Sequence, residues 1–185
     1  MIDDVLREAE SKMNKSVDAF QRDLTTIRTG RANPALIEKV MVPYYGTPTP
    51  LNQLANISAP EARMLLVQVY DRGQIGAVEK ALRTSELGLN PATDGAVIRV
   101  PVPPLTEERR REYVRMAKHK AEEARVAVRN VRRDEVHRLQ ELEKSGEAAE
   151  DAAKRALERL QRITDAHVAQ IDALAARKEA EVMEV

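Results

Sequence analysis

The sequence predicts an α+β protein in which a long antiparallel three-helix bundle carries an inserted, small α/β domain that is rich in β-strand. Apolar residues recur at steps of three or four over residues 2–29, 106–144 and about 147–183. All nine prolines and six of the seven glycines fall between Gly30 and Pro104. The chain has one Phe and no Trp, so its core must use smaller side chains, which suit closely packed helices.

The first helix is predicted over residues 2–29. Asp3 and Asp4 lie in its first turn, where the positive end of the helix dipole favours carboxylates. Gly30 and then Asn33-Pro34 end it. Its apolar face consists of Leu6, Ala9, Met13, Val17, Phe20, Leu24 and Ile27.

The middle of the chain has the composition of short strands separated by turns. A helix is expected at Gln74–Leu87, with Gly88 as its stop, and Thr93–Gly95 reads as a turn before the last strand. Gly73–Gly76 has the outline of a GxxG RNA-binding loop, but a turn that leads into the helix is the simpler interpretation. The β-rich runs are Leu36–Val42, Leu54–Ser58, Met64–Tyr70 and Ala96–Val100.

Two further long helices are predicted after the prolines, each about 55 Å long at 1.5 Å per residue. Thr106 caps the second, and Ser145-Gly146 reverses the chain into the third. The bundle domain would therefore comprise residues 1–30 and 106–185, and the inserted domain residues 31–105. Glycine and proline interrupt both connections, which predicts a hinge at Thr29, Gly30, Arg31, Ala32, Val102, Pro103, Pro104 and Leu105.

A basic stripe is the most informative feature of the second long helix. Ten Lys/Arg and only three Asp/Glu lie from Arg109 to Arg133, although the whole chain has zero formal charge. Such a one-sided basic surface suits a phosphate-rich partner. The alternative is a solvated face that pairs with acidic side chains of a neighbouring helix. At 100° per residue, four cations fall within roughly 60° of one another: Lys118, Arg125, Arg129 and Arg132.

The position of Arg132, like the excess of cations, favours a functional stripe over this alternative. Arg132 lies at the edge of the apolar arc, about 20° from Leu139, where an aliphatic residue would be expected. Its stem can pack while its guanidinium projects into solvent. Arg28 and Arg31 flank the predicted hinge, where a cation at a helix C-terminus is the simpler explanation.

Several function classes are not expected. Without cysteine there is no disulfide and no thiolate chemistry. The three histidines, His119, His137 and His167, show neither a nucleophile partner nor metal-ligand spacing, and His167 is expected at the edge of the core. We find no Walker loop, no signal or transit pattern and no apolar run of about 20 residues. We therefore expect a cytoplasmic, non-enzymatic protein with no cofactor, no metal, no catalytic residues and no membrane contact.

Long motifs throughout the chain resemble those of the bacterial ribosome recycling factor family, in the order in which the family has them. They cover both predicted domains, and the length and the domain plan agree. The matching segments are Ile27–Pro34, Tyr44–Pro48, Pro50-Leu51, Leu87–Pro91, Ile98–Pro101, Pro104–Arg110 and Ala127–Arg133.

The resemblance implies an L-shaped monomer that binds ribosomal RNA of the large ribosomal subunit after termination. With elongation factor G and GTP it would promote dissociation of the ribosome into subunits. Arg132 matches an arginine on which the family relies for RNA contact. The other candidate rRNA-binding residues are Arg129, Arg133, Arg125, Lys118, Arg28 and Arg31.

A non-enzymatic helical spacer or adaptor that binds only protein partners remains the alternative function. The two functions differ in salt dependence. Contact with RNA through Lys and Arg weakens steeply as salt rises. Binding of an adaptor to protein partners through apolar contacts would change little.

Overall fold

The computed structural model describes residues 1–184, which form two units. One comprises Met1–Thr29 and Glu107–Glu184, and the other comprises Gly30–Thr106. In chain order the elements are α1 (Ile2–Thr25), β1 (Met41–Tyr44), β2 (Thr47–Pro50), α2 (Leu51–Leu54), β3 (Ala55–Glu61), β4 (Met64–Val69), α3 (Ile75–Thr84), β5 (Ala92–Asp94), β6 (Val97–Pro101), α4 (Glu107–Lys144) and α5 (Glu150–Met183).

Helices α1, α4 and α5 pack against one another as the predicted bundle. With 38 and 34 residues, α4 and α5 are about 57 and 51 Å long at 1.5 Å per residue. Half of the buried positions of α4 are alanine, which lets its neighbours approach closely. Its buried residues are Ala117, Ala121, Ala124, Val128, Glu135 and Leu139.

Helix α1 is shorter than predicted: it ends at Thr25 rather than near residue 29. The hydroxyls of Thr25 and Thr26 donate to the carbonyls of Arg22 and Asp23, at 2.6 and 2.7 Å. Such local side-chain bonds compete with the helical ladder. Ile27 is nevertheless buried in the bundle core, so the apolar spacing extends past the end of the helix.

The turn between α4 and α5 forms where Ser145-Gly146 predicts it. Gly146 has a φ of +78°, a conformation that glycine adopts without steric cost. The N–H of Gly146 donates to the carbonyl of Glu143, and that of Ala148 to the carbonyl of Leu142. Because the chain needs these residues for the reversal, α5 begins at Glu150, three residues later than predicted.

His167 is buried in the bundle, with its ring nitrogens 2.8 Å from the Ile163 carbonyl oxygen and 2.6 Å from Asn14 Oδ1 of α1. The expectation of a structural core-edge histidine is confirmed. Its two contacts tie α5 to α1.

The second unit is built on a four-stranded antiparallel sheet in the order β3-β4-β6-β5, with β1 and β2 as a separate hairpin. Helix α3 supplies Val78 and Leu82 to the shared core. The hairpin turn contains Tyr45 and Gly46, both with positive φ, as a two-residue type I′ connection requires.

Three predictions for this unit are wrong in detail. The predicted strand Leu36–Val42 begins instead with a 3₁₀ turn at Pro34–Leu36, because the Asn33 side chain accepts from the Ala35 N–H and stabilises a turn. Strand β2 was missed because its sequence, Thr-Pro-Thr-Pro, does not favour a strand. Thr93 and Asp94 lie in β5 rather than in a turn, which begins only at Gly95.

Four charged side chains form an ion-pair network between α1 and α4. Glu135 lies in the apolar seam of α4 with 0 % of its surface exposed. Its carboxylate oxygens lie 3.4 Å from Lys12 Nζ and 3.0 Å from Arg138 Nη1. Glu8 contacts both cations and closes the network, with its Oε1 3.0 Å from Lys12 Nζ.

Ala121→Leu should destabilise the bundle by about 1–3 kcal/mol, because the larger side chain has no space at a fully buried contact. Ala169→Leu is the matched control, since Ala169 of α5 is exposed. Urea denaturation measures both free energies of unfolding. Equal values for the two variants would mean that close packing at Ala121 is not a constraint.

Acid should destabilise the bundle partly through Glu8. Hydrogen bonds from Arg138 and then Lys12 hold the pKa of the Glu8 carboxyl below its ordinary value. A folded-state pKa below the unfolded one stabilises the protein above the unfolded pKa, and this contribution is lost as the pH falls through the folded pKa.

Glu8→Gln should therefore flatten the loss of stability between about pH 6 and pH 3. Glu10→Gln, an exposed position on the same helix, should leave the profile unchanged. Urea midpoints across this range measure the effect, and identical profiles for both variants would exclude the Glu8 network as the cause.

Candidate nucleic-acid interface

Helix α4 presents the predicted basic stripe on a long, continuous rod. Lys118 and Arg132 are 14 residues apart, or about 21 Å along the axis at 1.5 Å per residue. Both side chains are exposed, as are those of Arg129 and Arg133, whereas Arg125 is partly buried. The cations of the stripe are therefore not equivalent.

Arg125 is committed to contacts within the bundle. Its Nε lies 2.7 Å from Asp172 Oδ1 of α5, and its Nη1 lies 3.0 Å from Glu122 Oε2. The hydrogen bond with Asp172 is the main cause of the raised pKa of its guanidinium. For Arg125 the structure agrees with the alternative interpretation, a cation paired with acids of its own and the neighbouring helix.

Arg129 and Arg133 form only long ion pairs at the surface. Arg129 Nη1 lies 3.7 Å from Glu122 Oε1, and Arg133 Nη2 lies 3.5 Å from Asp134 Oδ1. Exposed pairs of this kind contribute little, because both charges remain solvated. A phosphate could therefore displace either carboxylate at small cost.

The side chains of Arg132 and Lys118 form no ion pair and no hydrogen bond with residues 1–184. Their charged groups are exposed on one face of a rigid helix. The guanidinium of Arg132 offers planar, bidentate donors that match a phosphate. These two cations are the best placed of the stripe to accept a phosphate-bearing ligand.

Arg110 is a further cation that borders the stripe on the Arg132 side. It precedes Lys118 by eight residues, and helical spacing places it within about 40° of Arg132. In the described part of the chain it is half-buried and has no ion pair. Because it lies about 80° from Lys118 and about 100° from Arg129, it falls outside the arc of about 60° that defines the stripe.

Arg28 and Arg31 belong to different units. Arg28 follows the end of α1 and is half-buried, and Arg31 is exposed at the beginning of the second unit. Neither lies on the rod that carries the stripe.

The two connections at the predicted hinge are held side by side in the second unit. The N–H of Ala32 donates to the carbonyl of Ala62 at 2.6 Å, and that of Val102 to the carbonyl of Arg63 at 2.8 Å. Both therefore attach to the single turn between β3 and β4. Val102 is also buried in the core of the unit.

Gly30 lies outside these attachments. Its φ of +79° is strained for any other residue, and a Cβ built there would lie 3.5 Å from Leu105 Cγ. Ala32 and Val102 are thus attached to the sheet, and the predicted hinge residues Thr29–Arg31 and Pro103–Leu105 lie just outside these attachments.

No helix in the part of the chain that the structure describes combines the length and the apolar character that crossing a membrane requires. The same residues contain no group of three or more His, Cys, Asp or Glu side chains that could hold a metal ion.

The model of the family described as ribosome recycling factor matches residues 20–183. The chain belongs to the ribosome recycling factor family. The ribosome-recycling factors of Acidothermus cellulolyticus and of Geobacillus sp. (strain WCH70) are each 55% identical to it over 185 residues, and the match covers 100% of both chains in each case.

Two solved structures of the family have the same fold. One, described as the solution structure of the ribosome recycling factor, has a TM-score of 0.72 and 47% identity, and the match covers 100% of this chain and 98% of that one. The other has a TM-score of 0.65 and 44% identity, with 100% of both chains covered. It is described as models for the T. thermophilus ribosome recycling factor and the E. coli elongation factor G bound to the E. coli post-termination complex.

For this family member we expect Arg125 and Arg132 to differ in their effect on stability. Arg125→Ala removes the tie between α4 and α5 and should lower the free energy of unfolding by up to about 1 kcal/mol. Arg132→Ala removes no ion pair and should change it little. Urea denaturation of both variants measures the difference, and the reverse order would show that Arg132 is a structural residue.

Proposed function

We propose that this chain acts as a ribosome recycling factor: it binds the post-termination ribosome and, with elongation factor G and GTP, promotes dissociation into subunits for a new round of translation. Membership of the family supports this assignment. So does the family member described as bound to a post-termination complex with elongation factor G. The structural observation that carries it is that Arg132 and Lys118 of α4 are both exposed and form no ion pair among the described residues.

The contact with the large ribosomal subunit is proposed to run through RNA phosphates along α4. Arg132 and Lys118 make the main contacts, because no carboxylate has to be displaced first. Arg129 and Arg133 add weaker contacts after they release Glu122 and Asp134. Arg125 keeps α5 in place beside the rod and contributes to binding only indirectly.

The chain itself is proposed to carry out no catalysis and to need no cofactor. Elongation factor G would supply GTP hydrolysis, and this protein would transmit the resulting movement to the ribosome as a rigid wedge. We propose that it works as a monomer in the cytoplasm, where its ribosomal partner is found.

Arg132→Ala should weaken binding to vacant ribosomes about tenfold or more, because a bidentate phosphate contact is lost. Arg132→Lys keeps the charge and should recover only part of the affinity. For Arg132→Ala, the slope of log affinity against log salt should fall by about one. Pelleting of ribosomes with purified protein across a salt series measures all three effects.

Arg162→Ala is the matched control, since Arg162 is also exposed without an ion pair among the described residues but lies on α5 rather than on the stripe of α4. Wild-type binding by Arg132→Ala would contradict the assigned contact. Binding that does not respond to salt in the wild type would favour the adaptor function.

We also propose that the two units change their relative orientation during splitting, with the hinge at Thr29–Arg31 and Pro103–Leu105. Gly30→Ala should keep ribosome binding but slow splitting severalfold. Its positive φ costs an alanine about 1–2 kcal/mol, which shifts the conformations that the connection populates. Light scattering with elongation factor G and GTP measures the splitting rate.

Gly88→Ala provides the control for strain alone. Gly88 has a φ of +68° with open space around it, but it lies within the second unit, away from the connections. This variant should lose similar stability and split ribosomes at the normal rate. Equal splitting by both variants would mean that the connections are only tethers.

A further inference from the structure

The second unit contains an open groove of about 1100 Å³ that the ribosomal contact on α4 does not use. One wall comes from the segment leading into β1, and the floor comes from α3. Its lining residues are Leu36, Lys39, Val40, Met41, Pro43, Ala77, Lys80, Ala81, Thr84, Ser85, Glu86 and Leu87. A groove of this size that is open to solvent has room for part of a peptide as well as for a small molecule.

The floor of the groove has the form of a helix-docking strip. Ala77, Ala81 and Thr84 follow one another at steps of four and three on α3, so they share one helical face. Their small side chains allow a second helix to approach closely. At 1.5 Å per residue the ten residues of α3 extend about 15 Å, or nearly three turns.

The walls supply apolar side chains that are partly or largely exposed. Met41 is 52% exposed although it lies in a strand beside a hydrophobic core. A methionine side chain is flexible enough to adapt to different partner surfaces. Together with Leu36, Val40 and Leu87 it would contact the apolar face of an amphipathic helix.

The charged side chains of the groove indicate which charges a partner should carry. Residues 30–106 contain only two lysines, Lys39 and Lys80, and both line the groove. Among the described residues neither forms an ion pair, whereas Arg83 and Arg99 of the same unit pair with Glu79 and Asp94.

Glu86 is the single carboxylate in the lining, so the groove carries two cations and one anion. An occupant therefore needs carboxylates opposite the two lysines and a neutral or basic residue near Glu86.

We propose that this groove binds an amphipathic α-helix of a protein partner, with the apolar face of that helix on α3 and its acidic side chains on Lys39 and Lys80. This is the helix-in-groove mode, with anchors at i, i+3 or i+4, and i+7. The proposal does not depend on the RNA contact of α4, because the groove lies wholly within the second unit.

The test uses synthetic, helix-stabilised peptides of about four turns, with leucines at helical spacing on one face. One peptide has glutamates beside the leucines, and its counterpart has lysines at the same positions. Fluorescence anisotropy with the full chain should show binding about tenfold tighter for the glutamate peptide at low salt. The double variant Lys39→Glu/Lys80→Glu should reverse this preference.

Three variants serve as controls. Arg63→Glu makes a like charge change at an exposed position of the same unit outside the groove and should keep the glutamate preference. Met41→Ser should weaken both peptides, since it removes an apolar contact they share. Arg132→Ala should leave peptide binding intact, which separates this proposal from the ribosomal one.

Equal affinity of the wild type for both peptides would overturn the proposal. So would an unchanged preference in the double lysine variant. Sedimentation of the wild type and the double variant addresses a second copy of the chain as the occupant. Self-association that the lysine substitutions abolish would assign the groove to a dimer contact and would also overturn the proposal.

Discussion

The close contact of α4 with α1 and α5 through a narrow alanine-rich seam sets the properties of the whole bundle. Ala117 and Ala121 are fully buried, so α4 cannot rotate about its axis without forcing larger side chains into these contacts. Rotation of α4 in turn decides which of its many cations reach solvent and which meet a neighbouring helix. The basic surface is thus a consequence of core packing as much as of composition.

The cations of α4 fall into two groups, those that form ion pairs within the bundle and those that do not. Arg125 and Arg138 hold α4 to α5 and α1, and Arg138 does so beside Glu135, a carboxylate buried in the seam. Burial of a carboxylate costs free energy unless cations pair with it, so Glu135 contributes little net stability. Its pairing with Lys12 and Arg138 forms only when α1 and α4 pack in one register. Arg132 and Lys118 have no such partners, and this lack of internal contacts makes them available to a ligand.

The second unit carries the attachments of both connections and the groove over α3. Both connections to the bundle attach to the same turn between β3 and β4, through Ala32 and Val102. A force applied to either connection therefore reaches the sheet directly, while Gly30 keeps a conformation that only glycine adopts easily. The groove over α3 lies in the same unit.

The amino-acid sequence alone was enough to predict the fold class, the three long helices and the position of the basic stripe. Helical periodicity can be recognised from local spacing, because apolar residues that recur every three or four positions share one face in a helix but not in a strand. The sequence also indicated Arg132 as a candidate binding residue, because an aliphatic residue rather than a cation is expected at the edge of an apolar arc.

Only the tertiary structure separated Arg125 from Arg132, since the deciding partner, Asp172, is 47 residues away in the sequence. It likewise placed Glu135 in a buried network with Glu8, and it formed β2 from a proline-rich segment that has no local preference for a strand. In each case a contact between distant parts of the chain outweighed the local signal, and local patterns cannot encode which distant groups will meet.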